Sequence, residues 1–138
     1  MNDTITVVDT SILFALLLRE ETGPRKRLLA DESRTFYCPR FVFVELFKHK
    51  ERIVRATELN EGELLECLYE LLSSIHFVEE GALPIGTWME ARRLCRDVDP
   101  KDTPFVALTL HLEGRLWTSD AELKAGLRAK GFHRFFEP

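Results

Sequence analysis

The feature that most constrains the fold is residues 5–8, the run Ile-Thr-Val-Val that ends at Asp9. All four residues are β-branched, which favours a strand buried on both faces, as in a parallel sheet. The apolar residues 12–18 follow at once and predict a helix. A strand that leads directly into a helix is the repeating unit of α/β proteins.

The same alternation continues along the chain. Further strands are predicted over residues 35–38, 75–78 and 115–118, with helical patterns between them and a candidate edge strand over residues 132–136. No repeat or low-complexity linker divides the 138 residues. The sequence therefore predicts one α/β domain over residues 1–138, with a parallel sheet of four to five short strands.

Several helix boundaries can also be read. Asn60 and Glu63 form a candidate capping box before a leucine-rich face. A further helix is expected from about Pro84, and turn residues 99–104 open an apolar helix that ends at Gly114. The last helix is predicted to start at Ser119-Asp120 and to end at Gly131.

Charge and cysteine content narrow the class of protein. The net charge is −4, which argues against binding nucleic acid by bulk positive charge alone. The three cysteines have no metal-site spacing and are predicted to be reduced core residues. Because no signal peptide is apparent and the longest apolar run is far shorter than a membrane helix, we expect a cytoplasmic protein with no membrane partner.

Four acidic residues from distant segments are predicted to meet at one edge of the sheet. Asp9 and Asp120 follow strands, and Asp102 opens a helix that runs antiparallel to the strands, so that the start of this helix lies at the same edge. Glu45 lies about two turns into the helix after the second strand. Ligands of open parallel sheets bind beyond the carboxyl ends of the strands. Clustered carboxylates repel one another unless a cation neutralises them, and hard oxygen ligands suit Mg²⁺ or Mn²⁺.

Each acid also has a structural explanation. Asp9, Asp102 and Asp120 could each cap a helix, which would require no ligand. Glu45 interrupts an apolar run, where its structural role would be a pair with Lys48 or His49 one turn later. The four together favour a site over four independent structural roles.

The order of these motifs resembles that of PIN domains over essentially the whole chain. Residues 7–13 (VVDTSIL) resemble the opening motif of that family, and residues 44–46 (VEL) its helical glutamate motif. Asp102 with residues 105–108 (FVAL) resembles the third acidic motif, and residues 117–120 (WTSD) the last.

The resemblance implies a three-layer α/β/α sandwich and metal-dependent hydrolysis of RNA. It implies Asp9, Glu45, Asp102 and Asp120 as ligands of Mg²⁺ or Mn²⁺. Asp99 is an alternative or additional ligand. Supporting residues would be Thr10, Ser11 and Thr118. Many PIN domains are toxins that a small antitoxin protein holds inactive, and many form dimers, so both are candidate partners besides RNA.

One prediction about RNA contacts comes from the residues alone. Lys48 and Arg52 belong to a basic group that follows Glu45, and we expect them to bind the RNA backbone beside the site.

Two other classes of function are possible. A PIN fold that only binds nucleic acid or a partner protein should have lost one of the acids. A phosphatase or receiver domain would need Asp-x-Asp or an acidic pair after the first strand, where this chain has Asp9-Thr10-Ser11.

Overall fold

A four-stranded parallel sheet forms the centre of the protein in a computed structural model that describes residues 3–18 and 24–138. The strands are β1 (Ile5–Val8), β2 (Thr35–Pro39), β3 (Ile75–Val78) and β4 (Arg115–Trp117). Their order is β3-β2-β1-β4, so that β1 is central and all four carboxyl ends lie at one edge. The sheet and its strand count confirm the sequence prediction.

Eight α-helices in the described ranges surround this sheet. They are α1 (Thr10–Leu18), α2 (Pro24–Leu29), α3 (Val42–Lys48), α4 (Lys50–Ala56), α5 (Glu61–Ser74), α6 (Ile85–Cys95), α7 (Thr103–Leu112) and α8 (Ala121–Ala129). Helix α7 lies against β1, β2 and β4, and α6 packs on α7. Helix α1 contacts α2, α3, α4 and α5. The chain is thus a three-layer α/β/α sandwich, as the resemblance implied.

The core is continuous from the central strand into α7. Val7 and Val8 of β1 are fully buried, and so are all the residues from Phe105 to Leu108. A strand buried on both faces explains why β1 carries only β-branched residues. The predicted reduced cysteines are confirmed as free and buried in this core, at positions 38, 67 and 95.

Several predicted boundaries are also observed. Asn60 and Glu63 form the capping box of α5, with their side chains exchanging hydrogen bonds with the backbone of each other. Gly131 follows α8 with a φ of 91°, a left-handed conformation that favours glycine. No helix in residues 3–18 and 24–138 has the length and apolar character needed to cross a bilayer.

The predicted edge strand over residues 132–136 is wrong. Only Phe135 forms a bridge, to Leu116, flanked by backbone hydrogen bonds from Leu116 to Arg134 and from Phe136 to Leu116. The phenylalanines of this segment are buried through ring contacts, including Phe136 against Trp117 at 5.3 Å. Burial of side chains, and not a ladder of hydrogen bonds, explains the apolar pattern.

Candidate active site

Asp9 lies at the end of β1, at the middle of the sheet edge. Its carboxylate accepts hydrogen bonds from the Ser11 hydroxyl at 2.6 Å and from the Ile12 amide at 3.2 Å, so it caps α1. The Thr118 hydroxyl also bonds to it. Burial nevertheless outweighs these bonds and, with a contribution from Asp120, raises the pKa of Asp9.

Asp120 follows β4 and is held next to Asp9 by a network of hydroxyls. Its carboxylate accepts from the Leu123 amide at 3.0 Å and so caps α8. Its own amide donates to the Thr118 hydroxyl at 3.1 Å, and the Ser119 amide donates to the Ser11 hydroxyl at 3.1 Å. The loops after β1 and β4 are therefore tied together at the site. Ser11 and Thr118 thus both bond to the carboxylate of Asp9.

Glu45 lies in the first turn of α3 and faces α1. Its Oε1 accepts a hydrogen bond from the Thr10 hydroxyl at 2.7 Å. The local pair with Lys48 or His49, which was its structural alternative, is not found, since no described basic side chain forms an ion pair with Glu45. Thr10 is buried, so this bond fixes the carboxylate at the sheet edge.

Asp99 precedes a short 3₁₀ helix, Pro100–Asp102, which ends at Asp102 and leads into α7. Asp99 caps this turn by accepting from the Lys101 amide at 3.1 Å. Asp102 makes no capping hydrogen bond with its side chain, although it occupies the N-cap position of α7. The structural explanation of Asp102 as a helix cap is therefore not supported by its contacts.

The pKa of Asp102 depends on all the other candidate acids. Burial of this half-buried side chain, reinforced by repulsion from Asp99, Asp9, Glu45 and Asp120, raises its pKa to about 7. Each of those four carboxylates thus acts on Asp102, although three of them, Asp9, Glu45 and Asp120, come from other segments of the chain. The arrangement places a concentrated negative charge at one edge of the sheet.

Two buried thiols and one further acid lie beside this charge. Burial, Asp9, Glu45 and Glu80 raise the pKa of Cys38 at the end of β2. Burial and Asp102 raise the pKa of Cys95 to about 12, so both thiols stay protonated. The Oε2 atom of Glu80 is buried and has no hydrogen-bond partner among the described residues. Sequence reasoning missed Glu80, although its position just after β3 could have indicated it.

The basic residues predicted to grip RNA lie along the flank of the site. Lys48 is at the end of α3, and both Lys48 and Arg52 are exposed. Helix α4, which carries Arg52, runs along α1, because Thr57 just beyond it donates its hydroxyl to the Leu17 carbonyl at 2.7 Å. The end of α4 therefore lies beside the end of α1, while Lys48 lies one turn after Glu45.

The donor set is of the chemical kind that holds a hard divalent cation. It consists of carboxylates with hydroxyls between them, and none of the described basic side chains forms an ion pair with these acids. Oxygen donors of this kind suit Mg²⁺ or Mn²⁺. Within residues 3–18 and 24–138, however, no three Asp, Glu, His or Cys side chains are close enough together to hold a metal as they stand. A bound cation would have to draw the carboxylates inward.

Comparisons with known proteins agree on the fold. The family model for the PIN domain matches residues 7–135. No curated protein matches the sequence significantly. Among solved structures, the chain is similar to the crystal structure of VapBC2 from Rickettsia felis bound to a DNA fragment from their promoter, with a TM-score of 0.61 and 16% identity. That match covers 88% of this chain and 92% of the other.

Proposed function

Because the chain belongs to the PIN-domain family, whose members are generally nucleases, we propose that it is a metal-dependent ribonuclease that hydrolyses RNA phosphodiester bonds. The observation that carries the proposal is the state of Asp102. It is a half-buried carboxylate with no capping hydrogen bond and a pKa raised to about 7 by burial and by other acids. Such an arrangement destabilises the fold unless a cation compensates it.

The residues that we propose to hold the cation are Asp9, Glu45, Asp102 and Asp120, with Asp99 as an additional ligand. Mg²⁺ or Mn²⁺ bound there would supply an activated water and neutralise charge on the scissile phosphate. Thr10 orients Glu45 through their 2.7 Å hydrogen bond. Ser11 and Thr118 orient Asp9, and they also fix the loop that carries Asp120.

The biological setting that we propose is that of the toxin in a toxin–antitoxin pair in the cytoplasm. The similarity in fold to VapBC2 supports this setting, and the three buried free cysteines suit a reducing compartment. An antitoxin protein and a second copy of the chain are then the expected protein partners. Induced expression should arrest growth for the native chain and not for Asp102→Asn. Equal growth of both strains would count against a toxin.

The nuclease is tested by incubating a mixed RNA pool, and DNA of matching sequence, with the purified protein in Mg²⁺, Mn²⁺ or EDTA. We expect cleavage of RNA that EDTA, Asp9→Asn and Asp102→Asn each abolish. Asp97→Asn is the matched control, because Asp97 is exposed and pairs with Lys130 at 2.9 Å. RNA that is bound but not cut by the native chain would favour the alternative of a catalytically inactive binding module. Cleavage that survives in Asp102→Asn would refute the proposed site.

A further inference from the structure

The outer face of α6 combines apolar and cationic side chains in a single row. Ile85, Met89, Arg92 and Arg96 recur at spacings of three and four residues, which places them on one side of the helix. Ile85 and Met89 are 80% and 67% exposed, and both arginines are exposed as well. We call this row the α6 stripe. The opposite face of α6 is buried in the core, so the stripe is not needed to hold the helix in place.

The two arginines of the α6 stripe carry charges that the protein does not neutralise. Among the ion pairs of the described residues, none includes Arg92, and Arg96 reaches only Asp97, at 3.9 Å and with both side chains largely exposed. Neighbouring acids are already engaged, since Glu90 binds Arg93 at 2.6 Å and Asp97 binds Lys130 at 2.9 Å. A polyanion would therefore meet two uncompensated cations here.

One end of the stripe adjoins the candidate active site. Helix α6 ends at Cys95, whose thiol bonds to Thr103 and lies within the electrostatic influence of Asp102. Arg96 is the next residue, and the exposed Lys101 immediately precedes Asp102. From Arg96 the stripe extends roughly 16 Å to Ile85, at 1.5 Å per residue.

We propose that the α6 stripe and Lys101 bind the single-stranded part of the RNA substrate, an inference that rests on the proposed function. Arg92, Arg96 and Lys101 contact phosphates, while Met89 and Ile85 contact the faces of unpaired bases. A single strand offers both an anionic backbone and exposed apolar base faces. A duplex stacks its bases inside, so it would meet the cations but not the apolar residues.

The basic group on α3 and α4 is the competing surface. It holds more positive charge, with Lys48, Lys50, Arg52 and Arg55 against one acid, Glu51. Both surfaces adjoin the candidate acids, since Lys48 lies one turn after Glu45 and Arg96 follows Cys95, which lies near Asp102. The α6 pair consists of two arginines, which bind phosphate oxygens bidentately, whereas Lys48 offers a single point charge. We therefore expect Arg92 and Arg96 to matter more than Lys48 and Arg52.

The test compares two double variants with the same change in charge. Arg92→Glu/Arg96→Glu and Lys48→Glu/Arg52→Glu are each placed in the Asp102→Asn chain, so that RNA is not cut during binding. Binding of a short labelled single strand is measured by fluorescence anisotropy at several salt concentrations. We expect the first double variant to bind about tenfold more weakly, with a salt slope lower by about 1.4, because each lost phosphate contact contributes about 0.7. The second should lose less affinity, about threefold.

A third variant, Ile85→Ser/Met89→Ser, examines the apolar half of the stripe. It should weaken binding of the single strand and leave binding of a duplex unchanged. The proposal is overturned if the two charge variants lose affinity equally, or if this apolar variant changes the mass of the protein in light scattering while its RNA affinity stays the same. The latter result would make the stripe a protein interface. A native chain that still cuts RNA would show that only the inference, and not the proposed nuclease, has failed.

Discussion

The acids that follow strands and the acid that opens α7 are held in different ways. Asp9 and Asp120 each cap a helix, through the Ile12 and Leu123 amides. Asp102 occupies the corresponding N-cap position of α7 but makes no capping hydrogen bond, and its pKa rises to about 7. Two of the acids therefore contribute to folding whatever else they do, whereas the contacts of Asp102 give it no such role.

The difference indicates which variants separate function from stability. Replacing a capping carboxylate disturbs the helix as well as the site, so lost activity has two explanations. Replacing Asp102 removes a charge that the metal-free fold disfavours. Asp102 is thus the position at which activity and stability should change in opposite directions, as is common where a site is strained for function.

The largest expected effect is that of Asp102→Asn. Cleavage of RNA should fall by about a hundredfold or more, as for removal of a charge-stabilising group. In EDTA the variant should melt at the same temperature as the native chain near pH 4 and at a higher temperature at pH 8. The native state holds the Asp102 proton up to about pH 7, and the unfolded state only up to about its ordinary pKa of 3.8. The free energy of unfolding of the native chain therefore falls as the pH rises from 3.8 to about 7. Asp102→Asn lacks this carboxyl group and does not show that fall.

Melting curves of both proteins in EDTA, taken from pH 4 to pH 8, measure this effect. Asp97→Asn is again the control, because it removes a nearby carboxylate whose pKa is lowered by its bond to Lys130. Above the acidic range, Asp97→Asn should be less stable than the native chain, because it has lost the carboxylate that pairs with Lys130. An Asp102→Asn chain that is less stable than the native protein at pH 8 would contradict the comparison.

A smaller effect is expected from the cation itself. Mn²⁺ at about a hundred times its dissociation constant should stabilise the native chain by about 2.7 kcal/mol, because it binds only the folded state. Asp102→Asn should show much less stabilisation, and Asp97→Asn as much as the native chain. Unfolding by urea, with and without Mn²⁺, measures the difference. Equal stabilisation of the native chain and Asp102→Asn would remove Asp102 from the proposed ligands.

The strands and the longer helices could be predicted because their signals are local. The β-branched run of β1 and the capping box of α5 both lie within a few neighbouring residues. Helices α2 and α4 were not predicted, since they have only six and seven residues and little apolar periodicity. Over residues 132–136, the apolar side chains suggested a strand, but ring contacts such as Phe136 against Trp117 account for their burial.

The contacts within the site were less accessible to sequence reasoning. Glu45 was compared with basic residues one turn away, yet its partner is Thr10, 35 positions earlier. Likewise, Asp9, Asp102 and Asp120 were all predicted to have the same alternative role as helix caps, and only the geometry separates Asp102 from the others. The topology of the sheet determines which acids converge. Their hydrogen bonds depend on side-chain positions, which the sequence does not specify.

The smallest effect distinguishes the two roles of Asp120. Asp120→Ala removes both the charge and the acceptor of the Leu123 amide, whereas Asp120→Asn keeps an acceptor. We expect Asp120→Ala to lower the free energy of unfolding by about 1 kcal/mol and Asp120→Asn by only a few tenths, with RNA cleavage lost in both. Asn60→Ala is the matched control, because Asn60 caps α5 far along the chain and should cost a similar stability with no loss of cleavage. If Asp120→Ala and Asp120→Asn unfold at the same urea concentration, the cap adds nothing and the contrast with Asp102 fails.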